Sequence, residues 1–253
     1  MAPMASDRDE EIRNSLDKLY AHMDEVQHDT RRRLGIDALH IVDLHANNWT
    51  DIMSWINSTY PKEEQMNILV LQFSRLLKEI YWLELLLHNA NYPIMYRNLR
   101  YVWEMICQAY YVDAQHPNLT LDDQIEKARA IEDEFYGWNL VLRVLSETLD
   151  ESEEYVRSNF QQLWKRLSKH VHPSSKEMDI VANADFSILV TDSFNEELAR
   201  QAMKTTDAVF DLVYVILFRR FSKTRENARA YKFLDEWKKY LPYTARAVMT
   251  VSG

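Results

Sequence analysis

Residues 69–112 read LVLQFSRLLKEIYWLELLLHNANYPIMYRNLRYVWEMICQAYYV. Leu69, Phe73, Leu76, Ile80, Leu83 and Leu87 advance in steps of 4, 3, 4, 3 and 4, the alternation that keeps apolar side chains on one face of a helix with 3.6 residues per turn. Val70 and Leu77 widen that face. The spacing predicts a long helix, opened by Pro61 at the first-turn position where proline is tolerated. Asn91-Tyr92-Pro93 then marks a turn, because Pro93 cannot extend the helix before it and can start the next one. After the turn, Leu99, Trp103, Ile106 and Tyr110 share one face while Arg97, Glu104 and Gln108 share the other. Two amphipathic helices joined so closely must fold back on each other. The fold class is therefore all-α, a helical bundle of about seven to eight helices around a long antiparallel pair at residues 62–90 and 93–113.

The same periodicity extends outward. Ile12, Leu16, Leu19, Met23 and Val26 form a stripe on a helix from about Ser6 to Arg33, ended by Gly35. Residues 37–58 read as one or two short helices around Trp49 and Trp55. Thr120 with Asp123, and Ser193 with Glu196, have the spacing of capping boxes for helices running to about Leu149 and Phe221. Val156, Phe160, Leu163 and Leu167 mark a helix over about 152–169, and a last helix, 226–240, stops at Pro242. The segment from Pro173 to Asp192 holds one short apolar run, 185–190, readable as a strand or as a packed loop. No linker or repeat interrupts the chain. One domain spans 1–253, with the N-terminal helices 6–58 and the C-terminal helix 226–240 packed on the rest.

Composition narrows function by exclusion. The chain has 3 glycines, where average use of about 7% would give roughly eighteen. Glycine-rich dinucleotide and phosphate-cradling loops are thereby excluded, and sheet hairpins lose their usual hinges. A single Cys107 rules out an internal disulfide and a thiolate-rich zinc site, as expected in a reducing compartment. Met1 to Glu11 is acidic and has no apolar segment of the secretory type, and the longest apolar stretch, Ala208 to Phe218, is too short to span a bilayer. A cytoplasmic protein without a membrane contact is expected. The net charge of −9 excludes bulk attraction to nucleic acid but allows local basic patches. Di-iron bundles need two Glu-x-x-His pairs, and only Glu25 with His28 fits, so no metal or cofactor is expected.

The stretch richest in chemistry is Leu163-Trp164-Lys165-Arg166-Leu167-Ser168-Lys169-His170-Val171-His172-Pro173-Ser174. Histidine titrates near neutral pH, and arginine clamps phosphate oxygens in a bidentate fork. A residue before proline avoids the α region. His172 should thus leave the helical path and fold back toward Arg166. Leu167 to Ser174, preceded by Tyr92-Pro93-Ile94-Met95-Tyr96-Arg97-Asn98-Leu99-Arg100 on an earlier helix, resembles the HEPN-like helical superfamily of prokaryotes, in a branch of uncharacterised and abortive-infection-like proteins. Its ribonuclease members carry Arg, four to six residues, then His. The likeness covers about 63–221, and Leu167 stands where active members usually have a polar residue. It implies a metal-independent ribonuclease in a defence or toxin setting, acting on RNA or nucleotides as a homodimer, with an antitoxin or defence complex as a protein partner. Arg166 and His172 would be catalytic, and Lys169, His170, Arg97 and Glu104 would bind substrate. A helical protein-binding scaffold of the same fold without catalysis is the alternative.

Overall fold

The computed structural model describes residues 5–133, 154–168, 194–230 and 234–249. Among them every regular element is helical and none is a strand. α1 (Ala5–Leu34) ends at Gly35, whose φ of +58° suits glycine because a side chain would strain the backbone there, although the space beside it is open. A 3₁₀ turn (Gly35–Leu39) and a π-helical turn (Val42–Ala46) then lead into α2 (Asn47–Thr59).

The predicted opening of the long helix at Pro61 is corrected. Pro61 instead precedes a single turn, α3 (Lys62–Gln65), and the chain breaks before α4 (Ile68–His88). Asn67 makes the break, because its Oδ1 accepts from Val70 N at 2.9 Å while its Nδ2 donates to Glu64 O at 2.7 Å. Side-chain bonding of this kind satisfies an orphan N–H of the first turn. α5 (Tyr92–Gln115) follows and packs along α4. Leu69, Phe73, Leu76, Ile80, Leu83 and Leu87 are all fully buried, as are Leu99, Trp103 and Ile106. Burial of each such side chain is favourable by about 1.5–3 kcal/mol.

α6 (Leu121–Asp133) begins at the predicted box, with Thr120 Oγ1 accepting from Asp123 N at 3.3 Å. α7 (Glu154–Ser168) packs on α5 through Leu163 and Leu167. α8 (Glu196–Arg220) is capped by Asn195, whose side chain accepts from Leu198 N, and Ser193 lies outside the described residues. From Val209 to Phe218 every residue of α8 is buried, Asp211 included, the mark of a helix enclosed on all sides. The predicted helix 226–240 is divided into α9 (Arg225–Arg229) and α10 (Leu234–Tyr240). α10 ends at Tyr240, just before Pro242, as expected, and Pro242 also starts a further helix. α11 (Pro242–Met249) is held by Asp211, which accepts from Tyr243 N at 3.0 Å and Thr244 N at 2.7 Å. No described helix is long and apolar enough to cross a membrane. The run 185–190, read as strand or loop, lies outside the described residues.

Candidate functional site

Arg166 stands exposed in the last turn of α7, between the buried Leu163 and Leu167. Leu167 is wholly enclosed, so its apolar character serves the α5–α7 seam. That seam also holds Glu104, which accepts from Arg100 Nε at 2.8 Å and from Trp164 Nε1 at 3.3 Å, with the Arg100 guanidinium 5.5 Å above the Trp164 ring. The arrangement combines an i, i+4 ion pair with a cation–π contact. Burial raises the Tyr96 hydroxyl pKa, against a hydrogen bond with Thr205 and the nearby charge of Arg166. Arg166 therefore sits toward the start of α5, beside the turn that carries the exposed Arg97. Glu104 also lines a cavity of about 590 Å³ with Arg75, Tyr101, Gln108 and Arg129. Lys169, His170 and His172 lie outside the described residues.

A second constellation gathers on the far side of α8, and it escaped the sequence reading. His40 Nε2 meets both carboxylate oxygens of Asp207, at 3.0 and 3.1 Å, and His45 Nε2 meets Oδ1 at 3.1 Å. Behind them Tyr214 OH lies 3.4 Å from His45 Nδ1 and 3.2 Å from His45 O. His45 is fully buried and stacked on Phe210 at 4.4 Å. Burial lowers its pKa, outweighing Asp207, so at neutral pH it is uncharged and donates from Nε2. Burial also opposes charge on His40, but the hydrogen bond and charge of Asp207, with Asp37 and Glu84 further off, carry its pKa above the usual value. Asp207 feels burial upward and the two imidazoles downward, and the imidazoles prevail.

The pair depends on the π turn. Residues five apart on an α-helix point about 140° from each other, whereas an i→i+5 turn stacks them. Val42–Ala46 is such a turn, so His40 and His45 reach one carboxylate. Glu84 anchors it: Oε2 accepts from Val42 N at 3.2 Å, while Oε1 accepts from His88 Nε2 at 2.9 Å. His88 Nε2 also meets Ala38 O at 2.8 Å, and the Glu84 bond raises the His88 pKa against burial. No feature of residues 40–45 announces a π turn. His40, His45, Glu84, His88 and Asp207 lie on three separate stretches of sequence, and no spacing connects them.

His40 opens onto a cavity of about 400 Å³ whose lining includes Asp37, Asp43, Asn48, Glu236 and Tyr240. Among the described residues no group of three or more histidine, cysteine or carboxylate side chains is placed to hold a metal. The chain matches no protein-family model, no curated protein and no solved structure.

Proposed function

We propose that this protein is a HEPN-like helical bundle built on the antiparallel pair α4 and α5, and that it acts on RNA or nucleotides as a metal-independent ribonuclease of prokaryotic defence or a toxin system, working in the cytoplasm as a homodimer. The observation that carries the reading is Arg166, an exposed guanidinium on a helix end fixed by two buried leucines and set beside the first turns of α5. A guanidinium suits a phosphodiester, whose charge grows as a ribose hydroxyl attacks phosphorus. His172 supplies the proton transfer, taking the proton of the attacking hydroxyl or giving one to the departing oxygen. Arg75 and Arg129 beside the Glu104 cavity give a nucleotide further cationic contacts.

The test is RNA cleavage without added metal. His172→Ala should lose about 10²- to 10⁴-fold in rate, the usual contribution of a general acid or base, and Arg166→Ala should lose at least about tenfold through one charge-assisted contact. Equal rates for wild type and His172→Ala overturn the catalytic reading. A second reading, a noncatalytic scaffold for a protein partner, draws on one observation: Glu104 is already engaged by Arg100 and Trp164. Under it, purification recovers a stoichiometric protein, such as an antitoxin or defence component, in place of RNA.

A further inference from the structure

The outer half of α1 carries an apolar face that the rest of the described chain leaves uncovered. Val26, Thr30 and Leu34 are buried, Gln27 donates to Asn89 Oδ1 at 3.1 Å and Thr30 Oγ1 donates to His88 O at 3.2 Å, so α1 joins the body at the end of α4. From Arg13 to Glu25 no residue is buried. Leu16 is 42% and Tyr20 59% exposed, while Leu19 and Met23, half-buried, lie outside the core. Yet Leu16, Leu19 and Met23 continue the line of Val26 and Thr30 in steps of 3 and 4, and by sequence the line reaches Ile12. An isolated helix is marginal in water and owes its stability in a protein to the packing of its apolar face. Only the end of α1 has such packing, and the rest of the face requires a partner.

The residues beside the face select a second copy of α1, running antiparallel. Alternating steps of 4 and 3 are the heptad of a two-stranded coiled coil, whose two apolar positions meet across the seam. With the strands antiparallel, Leu16 meets the partner's Leu19 and Ile12 meets the partner's Met23. The flanking positions then set Arg13 against the partner's Tyr20, a cation–π pair, and Arg8 against the partner's Asp29, which already holds Arg32 at 2.8 Å. Ser15 faces the partner's His22, so no like charges oppose each other along the seam. Asp17, Asp24 and Glu25, all exposed, fall on the outer face. A parallel pair would set Arg8 against the partner's Arg13. It would also bring both bodies to one end of the seam, where each helix buries Val26, Thr30 and Leu34 in its own body. Antiparallel strands place the bodies at opposite ends. A lipid surface does not suit this helix, because helices that lie on anionic membranes carry Lys and Arg on the polar face, where α1 has carboxylates.

We infer that the outer half of α1 forms an antiparallel two-stranded coiled coil with the same segment of a second copy of this chain. The inference rests on the homodimer proposed above, whose interface it names, and uses nothing of the ribonuclease chemistry. Sedimentation of the full chain at micromolar concentration tests it. The wild type should run as a dimer. Leu16→Asp combined with Leu19→Asp, which puts four carboxylates into the seam, should raise the dissociation constant at least about a hundredfold. Asp17→Asn on the outer face should leave it unchanged. Strand direction is read from the distance between spin labels on an introduced cysteine, since Cys107 is buried. Antiparallel strands offset the two copies of residue 28 by about 30 Å along the seam and those of residue 14 by about 10 Å. The label pair at His28→Cys should thus lie farther apart than the pair at Asn14→Cys. A monomeric wild type, a dimer that survives the double leucine variant, or equal label distances at the two sites overturns the inference. A monomer that still cleaves RNA sinks this inference alone, whereas an intact α1 dimer without cleavage sinks only the ribonuclease reading.

Discussion

Asp207 accepts from two imidazoles that differ in charge, and that difference gives its replacement a particular pH signature. His40 has a folded pKa above its unfolded 6.5. Its stabilisation is therefore fully present below pH 6.5 and is lost as pH rises through the folded value. His45 runs the other way, because its pKa is lowered and acid works against its burial. Asp207 itself, lowered from 3.8, contributes above that pH and loses its contribution only as pH falls through the folded value. Asp207→Asn removes the partner that allows His40 to charge. Urea denaturation should then show a stability gap between wild type and variant that widens from pH 8 to pH 6. A gap that stays constant or shrinks would contradict this protonation assignment. Asp207→Ala, which strands a buried neutral His45 donor, should cost about 1–3 kcal/mol at pH 7. On the opposite side of α8, Leu167→Ala should cost about 2–5 kcal/mol through the cavity it leaves. Leu167 was legible in the sequence as a stripe residue. Asp207 was not, because one carboxylate on a helix reads as solvated until its partners from residues 40–45 are known.

At the scale of elements, two helix starts depend on single side chains. Asn67→Ala should lower unfolding free energy by about 1 kcal/mol, read from the urea midpoint at an unchanged slope. Asp211 fixes the start of α11, and its burial pushes its carboxyl up to about 6, against the amides of Tyr243 and Thr244 and with Asp207 one turn away adding repulsion. A carboxyl raised in this way contributes stability below pH 3.8 that is lost as pH rises through about 6. Asp211→Asn should therefore flatten the stability profile between pH 4 and pH 7, and an unchanged slope would show that another group titrates there. Helix bodies were readable because burial enforces the spacing of Leu69 to Leu87. Helix ends were less so. Pro61 and Pro242 are each compatible with a start or a stop, and the choice fell to Asn67 and Asp211, the second of which lies far away in sequence.

For the whole molecule, α8 packs against α1, α4, α5, α7, α10 and α11. Its polar residues mark two chemistries on two sides: Thr205 faces Tyr96 and the Arg166 region, while Asp207 faces His40 and its cavity. If the protein works as a homodimer, analytical ultracentrifugation should give a mass near twice 30.2 kDa. A single species at 30.2 kDa at micromolar concentration would remove the homodimer from the ribonuclease reading. The π turn has a consequence of its own. It holds one amino acid more than a regular helix needs, and each residue swings the chain about 100° around its axis. Deleting one codon between Val42 and Ala46 would restore ordinary winding and rotate His40 off its carboxylate, and it would turn the buried Ala38 and Ile41 with it. A length change of one unit thus separates a plain structural scaffold from one carrying an imidazole pair, a step that mutation can take in either direction.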